Sequence, residues 1–183
     1  MAKRHEIRLC GFGGQGIMLA GYSIGQAASI FQGEYVVLIE DYGPEARGGA
    51  CRADVVISDE PVLYPYITAP SILIAMSQDA YDKYHAENYH DALVIVDKDL
   101  VKAQHTRNEK VMAIPARHIA KEIGRVAVAN MVIAGFFTAV TGITSLEAMK
   151  KSLLISVPKG TEQINLKALE LGYNYGIEHG GKV

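Results

Sequence analysis

A glycine-rich turn near the start of the chain constrains the fold more than any other feature. The sequence Gly-Phe-Gly-Gly-Gln-Gly at residues 11–16 follows an apolar run at residues 5–10 and leads into Ile-Met-Leu-Ala at residues 17–20. The run predicts a buried first strand, and the segment after the turn predicts the start of a helix. The turn matches the pattern Gly-x-Gly-x-x-Gly, in which backbone N–H groups and a helix N-terminus attract an anion such as a phosphate. Because such glycines also allow close strand–helix packing without a ligand, the turn alone leaves both interpretations open.

Short β-rich runs alternate with helical segments over the first two thirds of the chain. After a helix predicted over residues 15–31, which Gly33 ends, we expect strands at residues 35–39, 50–58, 71–76, 92–97 and 110–114. Continuous apolar strands separated by helices are typical of a mainly parallel sheet covered on both faces. From about residue 116 onward the sequence is almost wholly helical, with one break at Val157-Pro158 and a last helical segment predicted over residues 161–175. We therefore predict an α/β, Rossmann-like fold with a helical C-terminal portion, and a single domain over residues 1–183.

Composition excludes several function classes. The net charge of −2 gives no basic surface for nucleic acid or for an anionic membrane. The two cysteines, Cys10 and Cys51, show no Cys-x-x-Cys spacing, which excludes a thiolate-ligated iron–sulfur cluster or cysteine zinc site built from this chain alone. The apolar stretch at residues 126–143 falls short of the roughly 20 residues of a membrane span, so we predict a helix buried in the core or against a partner. The first residues do not form a signal peptide, and a cytoplasmic location is expected.

A second glycine-rich segment follows the second predicted strand. It reads Tyr-Gly-Pro-Glu-Ala-Arg-Gly-Gly at residues 42–49. In a parallel sheet both loops would lie at the carboxyl ends of neighbouring strands, which predicts one shared crevice. Arg47 could bind a phosphate or carboxylate through two parallel hydrogen bonds, or it could pair with Glu45 across the turn. Glycine and proline also simply mark turns, so the loop by itself does not decide between these alternatives.

Glu40 and Asp41 end the second predicted strand about 20 residues beyond the first glycine turn, where an acidic side chain would hold the ribose of NAD. A solvated strand end is the alternative explanation. The sequence has no nucleophile elbow, P-loop lysine or zinc-protease motif. We therefore expect no catalytic residue and no metal ligand in this chain, which offers binding loops without reaction machinery.

Taken together, the motifs resemble the gamma subunit of the 2-oxoacid:ferredoxin oxidoreductases, a family that includes enzymes for pyruvate, 2-oxoglutarate and ketoisovalerate. The resemblance spans essentially the whole chain and depends first on the two glycine-rich motifs at their observed separation. It extends to Val-Val-Ile-Ser at residues 55–58, Asn-Met-Val-Ile-Ala-Gly at residues 130–135 and Ile-Asn-Leu-Lys-Ala-Leu at residues 164–169. The segment at residues 42–49, combined with Val-Ile-Ser-Asp-Glu-Pro at residues 56–61, is most similar to gamma subunits of the 2-oxoglutarate type.

That resemblance implies a non-autonomous subunit of an enzyme that converts a 2-oxoacid and coenzyme A into acyl-CoA, CO2 and reduced ferredoxin. Family members combine alpha, beta, gamma and often delta subunits. Thiamine diphosphate and magnesium lie between the alpha and beta subunits, and iron–sulfur clusters lie in the beta and delta subunits. The gamma subunit packs on the alpha subunit and is associated with the coenzyme A step, so this chain is expected to bind no cofactor alone, with coenzyme A as its candidate ligand.

The candidate cofactor-binding residues follow from the two loops and from the asparagine of the apolar helix that carries part of the resemblance. They are Gly11, Gly13, Gly14, Gln15, Gly16, Glu45, Arg47, Gly48, Gly49 and Asn130. Three alternatives stay open at this point. Within the family, the chain could be the related subunit of an indolepyruvate or branched-chain 2-oxoacid enzyme. Outside it, the chain could be a free-standing NAD(P)-binding oxidoreductase built on the first turn, or a structural domain whose glycines only pack.

Overall fold

The computed structural model describes residues 3–43, 49–85, 91–104 and 110–180. Its strands are β1 Arg4–Phe12, β2 Tyr35–Asp41, β3 Ala50–Ser58, β4 Ile72–Ala75, β5 Leu93–Asp97 and β6 Lys110–Ile114. Its helices are α1 Ile17–Gln32, α2 Gln78–His85, α3 Ala116–Glu122, α4 Ala129–Thr141, α5 Leu146–Ser156 and α6 Glu162–His179, with a 3-10 turn at Val126–Val128 before α4.

The strands form one mixed sheet in the order β2-β3-β1-β4-β5-β6. The pairs β1–β4, β4–β5 and β5–β6 are parallel, whereas β3 runs antiparallel to both β1 and β2. The sequence predicted that β2 lies beside β1 as a parallel neighbour. That prediction was wrong, because β3 lies between them. Only residues 42–49 connect β2 to β3, and such a connection is too short for the helical crossover that parallel neighbours need.

Helices cover both faces of the sheet. Along β1, Ile7 and Leu9 point into a core shared with α1 and α4, whereas Cys10 points into a second core formed with α2. The same alternation places Ile74 of β4 in the first core and Leu73 in the second. The predicted α/β fold is confirmed in its mainly parallel sheet, its helices on both faces and its helical C-terminal portion.

Helix α4 forms the centre of that C-terminal portion. Every residue of α4 except Thr141 is buried. A Cβ atom built on Gly135 would collide with the Leu169 carbonyl of α6, and one on Gly172 would collide with the Val132 carbonyl of α4. The two helices thus pack through their backbones at glycine. The sequence left open whether this apolar helix is a core helix or an interface helix, and the structure shows that it is a core helix.

Several boundaries differ from the sequence-based expectation. The predicted helix over residues 126–143 is divided into a 3-10 turn and α4, and the last helix continues to His179 rather than ending near residue 175. Gly33 ends α1 as expected: its φ of 79° is left-handed, and its N–H group donates to the Ser29 carbonyl. Within the described ranges, no helix has both the length and the apolar character needed to cross a membrane.

Candidate functional site

The candidate site is a crevice at the carboxyl ends of β1 and β4. The chain leaves β1 through α1 toward β2 on one side of the sheet and leaves β4 through α2 toward β5 on the other. Connections that diverge in this way open a crevice, which is where open α/β sheets bind ligands. A cleft of about 190 Å³ lies there, lined by Gly14, Gln15, Met76, Asp97, Leu100, Arg117, Val126, Ala127 and Ala129.

Gln15 ties the glycine turn to the end of β4. Its Oε1 atom accepts a hydrogen bond from the Phe12 N–H group at 2.7 Å, and its Nε2 atom donates to the Met76 carbonyl at 2.8 Å. Gly11 makes room for this arrangement, since a Cβ atom there would lie 2.5 Å from the Gln15 Oε1 atom and 2.7 Å from the Ile17 Cδ1 atom. The amide of Gln15 thus holds the backbone of the crevice in place.

Asn130 holds the other end of the turn. It is 2% exposed, and its Nδ2 atom donates to the Gly16 carbonyl at 3.1 Å across 114 positions of sequence. Its Oδ1 atom accepts the Met131 N–H group at 3.0 Å. Gly16 has a φ of 77°, and a Cβ atom there would overlap the Asn130 amide. The structure therefore brings Asn130 to the glycine turn, as a side chain that positions it.

Among the described residues, no side chain caps the N-terminus of α1 beside this turn. The first turn of the helix carries no acidic residue. Gly13 and Gly14 are exposed, and a Cβ atom on Gly14 would meet nothing within 4 Å. Because uncapped N–H groups and the helix dipole both favour negative charge, this end of α1 has the chemistry of an anion site.

The second glycine-rich segment meets the first, although not in the predicted way. Gly49 accepts a hydrogen bond from the Gly13 N–H group at 3.2 Å, and Ala50 pairs with Phe12. The contact is made by the start of antiparallel β3, not by a parallel β2 next to β1. The candidates Glu45, Arg47 and Gly48 lie outside the described residues.

Asp97 and Arg117 are cleft residues that the sequence analysis missed. Asp97 is fully buried at the end of β5, where its carboxylate accepts the Asp99 N–H group at 3.1 Å and the Arg117 N–H group at 3.0 Å. Burial raises the pKa of this carboxyl group, and these backbone hydrogen bonds oppose that rise. Asp97 thereby binds the N-terminal end of α3, while the exposed Arg117 side chain adds a cation to the cleft.

One signal in the sequence could have found both residues. Asp97 is the last residue of the strand predicted at residues 92–97. Arg117 lies three residues after the end of the next predicted strand, at residues 110–114. Residues just past the carboxyl ends of parallel strands gather at one edge of the sheet, so both positions qualified as candidates.

The geometry does not favour the ribose role considered for Glu40 and Asp41. β3 lies between β2 and β1. At the usual spacing of neighbouring strands, β2 is therefore about 10 Å from β1, the strand that leads into the glycine turn. Asp41 accepts the Gly43 N–H group at 2.9 Å and lies 3.4 Å from the Arg52 Nε atom. The Glu40 carboxylate accepts the Tyr42 hydroxyl at 3.0 Å. Both acidic side chains therefore have local partners away from the crevice.

The comparison with known proteins decides the family. The model of the pyruvate ferredoxin/flavodoxin oxidoreductase family matches residues 6–175. This chain belongs to that family. The 2-oxoglutarate synthase subunit KorC of Methanocaldococcus jannaschii is 48% identical over 178 residues, which cover 96% of this chain and 95% of that protein. The predicted resemblance to this family is confirmed.

Solved structures agree with the fold. The gamma subunit of a keto/oxoacid ferredoxin oxidoreductase from Geobacter sulfurreducens is 38% identical, with a TM-score of 0.86 over 96% of this chain and 98% of that one. A 2-oxoglutarate:ferredoxin oxidoreductase from Magnetococcus marinus, solved with 2-oxoglutarate, coenzyme A and succinyl-CoA bound, also has a TM-score of 0.86. It is 23% identical and matches 95% of this chain but 31% of the larger protein, so it supports the fold alone. The predicted character of a non-autonomous oxidoreductase subunit is also confirmed.

Proposed function

We propose that this chain is the gamma subunit of a 2-oxoglutarate:ferredoxin oxidoreductase. The complete enzyme would convert 2-oxoglutarate and coenzyme A into succinyl-CoA, CO2 and reduced ferredoxin. The 48% identity to a 2-oxoglutarate synthase subunit over nearly the full length of both chains supports this proposal. Thiamine diphosphate, magnesium and iron–sulfur clusters would then be held by alpha, beta and delta partners. The cytoplasmic location and the single domain over residues 1–183 stay predictions.

Within that enzyme, we propose that the crevice contacts phosphates of coenzyme A. The observation that carries this proposal is the glycine turn before the uncapped N-terminus of α1, where Gly14 and Gln15 line the same cleft as Arg117. Phosphate oxygens accept hydrogen bonds from backbone N–H groups and pair with guanidinium groups, so both features suit the same ligand. Sites that enclose a drug-sized ligand usually measure about 300–1,000 Å³. Since this cleft measures about 190 Å³, the chain would hold only part of coenzyme A.

Partner capture tests the subunit assignment. The tagged chain is purified from its native extract without oxygen, and the proteins that co-elute are identified and quantified by mass spectrometry. Stoichiometric recovery of a thiamine-diphosphate-binding subunit and an iron–sulfur subunit is expected. Recovery of the chain alone, as a monomer or homodimer, would refute the assignment and favour a nucleotide-binding enzyme.

Steady-state kinetics of the assembled enzyme test the coenzyme A contact. A charge-assisted hydrogen bond is worth about 1.5–3 kcal/mol, so Arg117→Ala is expected to raise the KM for coenzyme A about 10- to 100-fold. The KM for 2-oxoglutarate should not change. Arg125→Ala is the matched control, since Arg125 is also exposed but does not line the cleft. An unchanged KM for coenzyme A in the Arg117 variant would contradict the proposal.

A further inference from the structure

Strand β2 lies at an edge of the sheet, yet its sequence is mostly aliphatic. Among the described residues it pairs only with β3, so none of them pairs with the other side of its backbone. Natural edge strands are usually protected by charged side chains, especially lysine, by proline or by a bulge. β2 has no lysine, proline or bulge, its charged residues are confined to its end at Glu40 and Asp41, and its residues 35–39 read Tyr-Val-Val-Leu-Ile. An edge of this kind is a template for another strand.

The burial of β2 does not match its sequence. A continuous aliphatic run is typical of a strand that is covered on both faces. Yet Val36, Val37, Leu38 and Ile39 are all only half-buried, although they alternate between the two faces of the sheet. By contrast, the central part of the neighbouring strand β3 is fully buried. The aliphatic run of β2 therefore has the composition of an interior strand at a position where part of its cover is missing.

A groove runs along the inner side of this edge, between β2 and α1. Tyr22, Gln26 and Ile30 are spaced four residues apart and form one wall, and the half-buried Val36 and Leu38 form the other. The groove measures about 180 Å³. Ile30 is 64% exposed, so the rim offers apolar surface directly beside the backbone of β2.

Acidic residues flank the aliphatic run of β2 in the sequence. The sequence contains no lysine or arginine from residue 9 to residue 46, whereas Glu34 and Glu40 flank the aliphatic run of β2. Asp41 is the third acidic residue here, and Arg52 of β3 lies 3.4 Å from its carboxylate. Since Arg52 balances Asp41, the acidic groups on either side of the apolar run are Glu34 and Glu40, which are complementary to an extended segment with basic ends.

A second copy of this chain fits the edge poorly. Antiparallel pairing of two β2 strands about Leu38 would place Val36 opposite Glu40 of the other copy, with Glu34 on the diagonal of the same face. Diagonal neighbours lie about 7–8 Å apart, so this arrangement brings like charges together twice. Pairing of two copies would thus bring Glu34 and Glu40 of one copy close to those of the other, whereas a basic segment would neutralise them.

We propose that a partner subunit of the oxidoreductase adds an extended segment to the edge of β2. Its backbone continues the sheet, its apolar side chains fill the groove between β2 and α1, and its lysine or arginine residues face Glu34 and Glu40. This mode of recognition gains affinity from main-chain hydrogen bonds and specificity from the side-chain groove. The inference depends on the proposed function, because it takes the partner from the same complex.

Assembly of variants with the partner subunits tests this inference. Each tagged variant is co-expressed with the partner subunits, and the amount of partner retained per chain is measured. Ile30→Lys and Glu40→Lys are expected to reduce retention at least tenfold. Ile177→Lys is the matched control, since Ile177 is 57% exposed on α6, and it should retain the partners fully. Thermal unfolding of the variants checks that they are folded.

The outcomes separate the two proposals. If the unmodified chain retains no partner subunit, the proposed function fails. If the unmodified chain assembles and the Ile30 and Glu40 variants assemble equally well, the inference about β2 is wrong.

A photo-crosslinking residue at Tyr35, which is exposed at the start of β2, provides a second test in the assembled complex. A product with a partner subunit supports the inference. A product with a second copy of this chain, or no product, overturns it.

Discussion

The hydrogen bond between Asn130 and Gly16 allows a test in which the shape of the side chain is kept and its donor is removed. Asn130→Asp retains the oxygen that accepts the Met131 N–H group at 3.0 Å. It replaces the Nδ2 donor, 3.1 Å from the Gly16 carbonyl, with an oxygen. Since the position is 2% exposed, little water can compensate for the lost bond. An ionised carboxylate would therefore face a carbonyl oxygen in the interior.

The expected loss of stability at pH 7 follows from these contacts. Loss of one hydrogen bond costs about 1 kcal/mol, and an unsatisfied buried group adds about 1–3 kcal/mol. The N-terminus of α4 offsets about 0.3–1 kcal/mol, because it favours a negative charge. The sum is a loss of about 1–4 kcal/mol. For a chain of this size that corresponds to a decrease in Tm of about 2–16 °C.

The pH dependence distinguishes this cause from simple loss of contacts. Burial and the missing donor should raise the pKa of the new carboxyl group in the folded state above its unfolded value near about 3.9. The folded protein then binds that proton more tightly, so the destabilisation is small below about pH 4 and grows as the pH rises toward the folded pKa. Asn130→Ala introduces no titrating group, so its difference from the unmodified chain should not change with pH.

Urea unfolding of the purified chain between pH 4 and pH 8 measures both effects. If Asn130→Asp lies within about 0.5 kcal/mol of the unmodified chain at pH 8, the amide does not hold the glycine turn, because that loss is no larger than that of an ordinary surface substitution. A loss equal to that of Asn130→Ala at every pH would also refute the reasoning.

Two further predictions concern the core. Arg8 and Asp54 form a buried two-bond ion pair at 2.7 and 2.8 Å, so Asp54→Ala should cost about 3–5 kcal/mol in urea unfolding, whereas Arg8→Met combined with Asp54→Leu should cost far less. Equal losses would contradict this explanation. Gly172→Ala drives a Cβ atom into the Val132 carbonyl and should cost at least about 3 kcal/mol. Gly124→Ala, at a φ of 90° with open space around it, should cost about 1–2 kcal/mol, and a larger loss than for Gly172 would refute the clash argument.

Local pattern was sufficient for most elements of this fold. Apolar runs bounded by turn residues located all six strands to within about two residues, since aliphatic and β-branched runs favour strands. Gly33 marked the end of α1 because a left-handed φ is inexpensive only for glycine. The glycine turn at residues 11–16 likewise lies between a strand and a helix as predicted. In each case the residues that specify the strand, helix end or turn lie within or directly beside it in the sequence.

The candidate site was predicted only in part. The first glycine turn and Gly49 do lie together, but Gln15 and Asn130 proved to be side chains that hold the backbone of the turn. Arg117 and Asp97 were missed, because neither belongs to a motif and each becomes a cleft residue only when parallel strands place their carboxyl ends side by side. Whether these residues contact coenzyme A stays a prediction.

Local sequence pattern was enough to locate most helices and strands, the turn that an anion could occupy and the family to which the chain belongs. The pairing of the strands, by contrast, became visible only in the assembled sheet. A hydrophobic run predicts a strand and carries no information about which strand lies beside it. For that reason the insertion of β3 between β1 and β2 could not be derived from the pattern. That insertion places β2 at the edge with its aliphatic run half-covered, and the packing of α4 brings Asn130 to Gly16 across 114 positions.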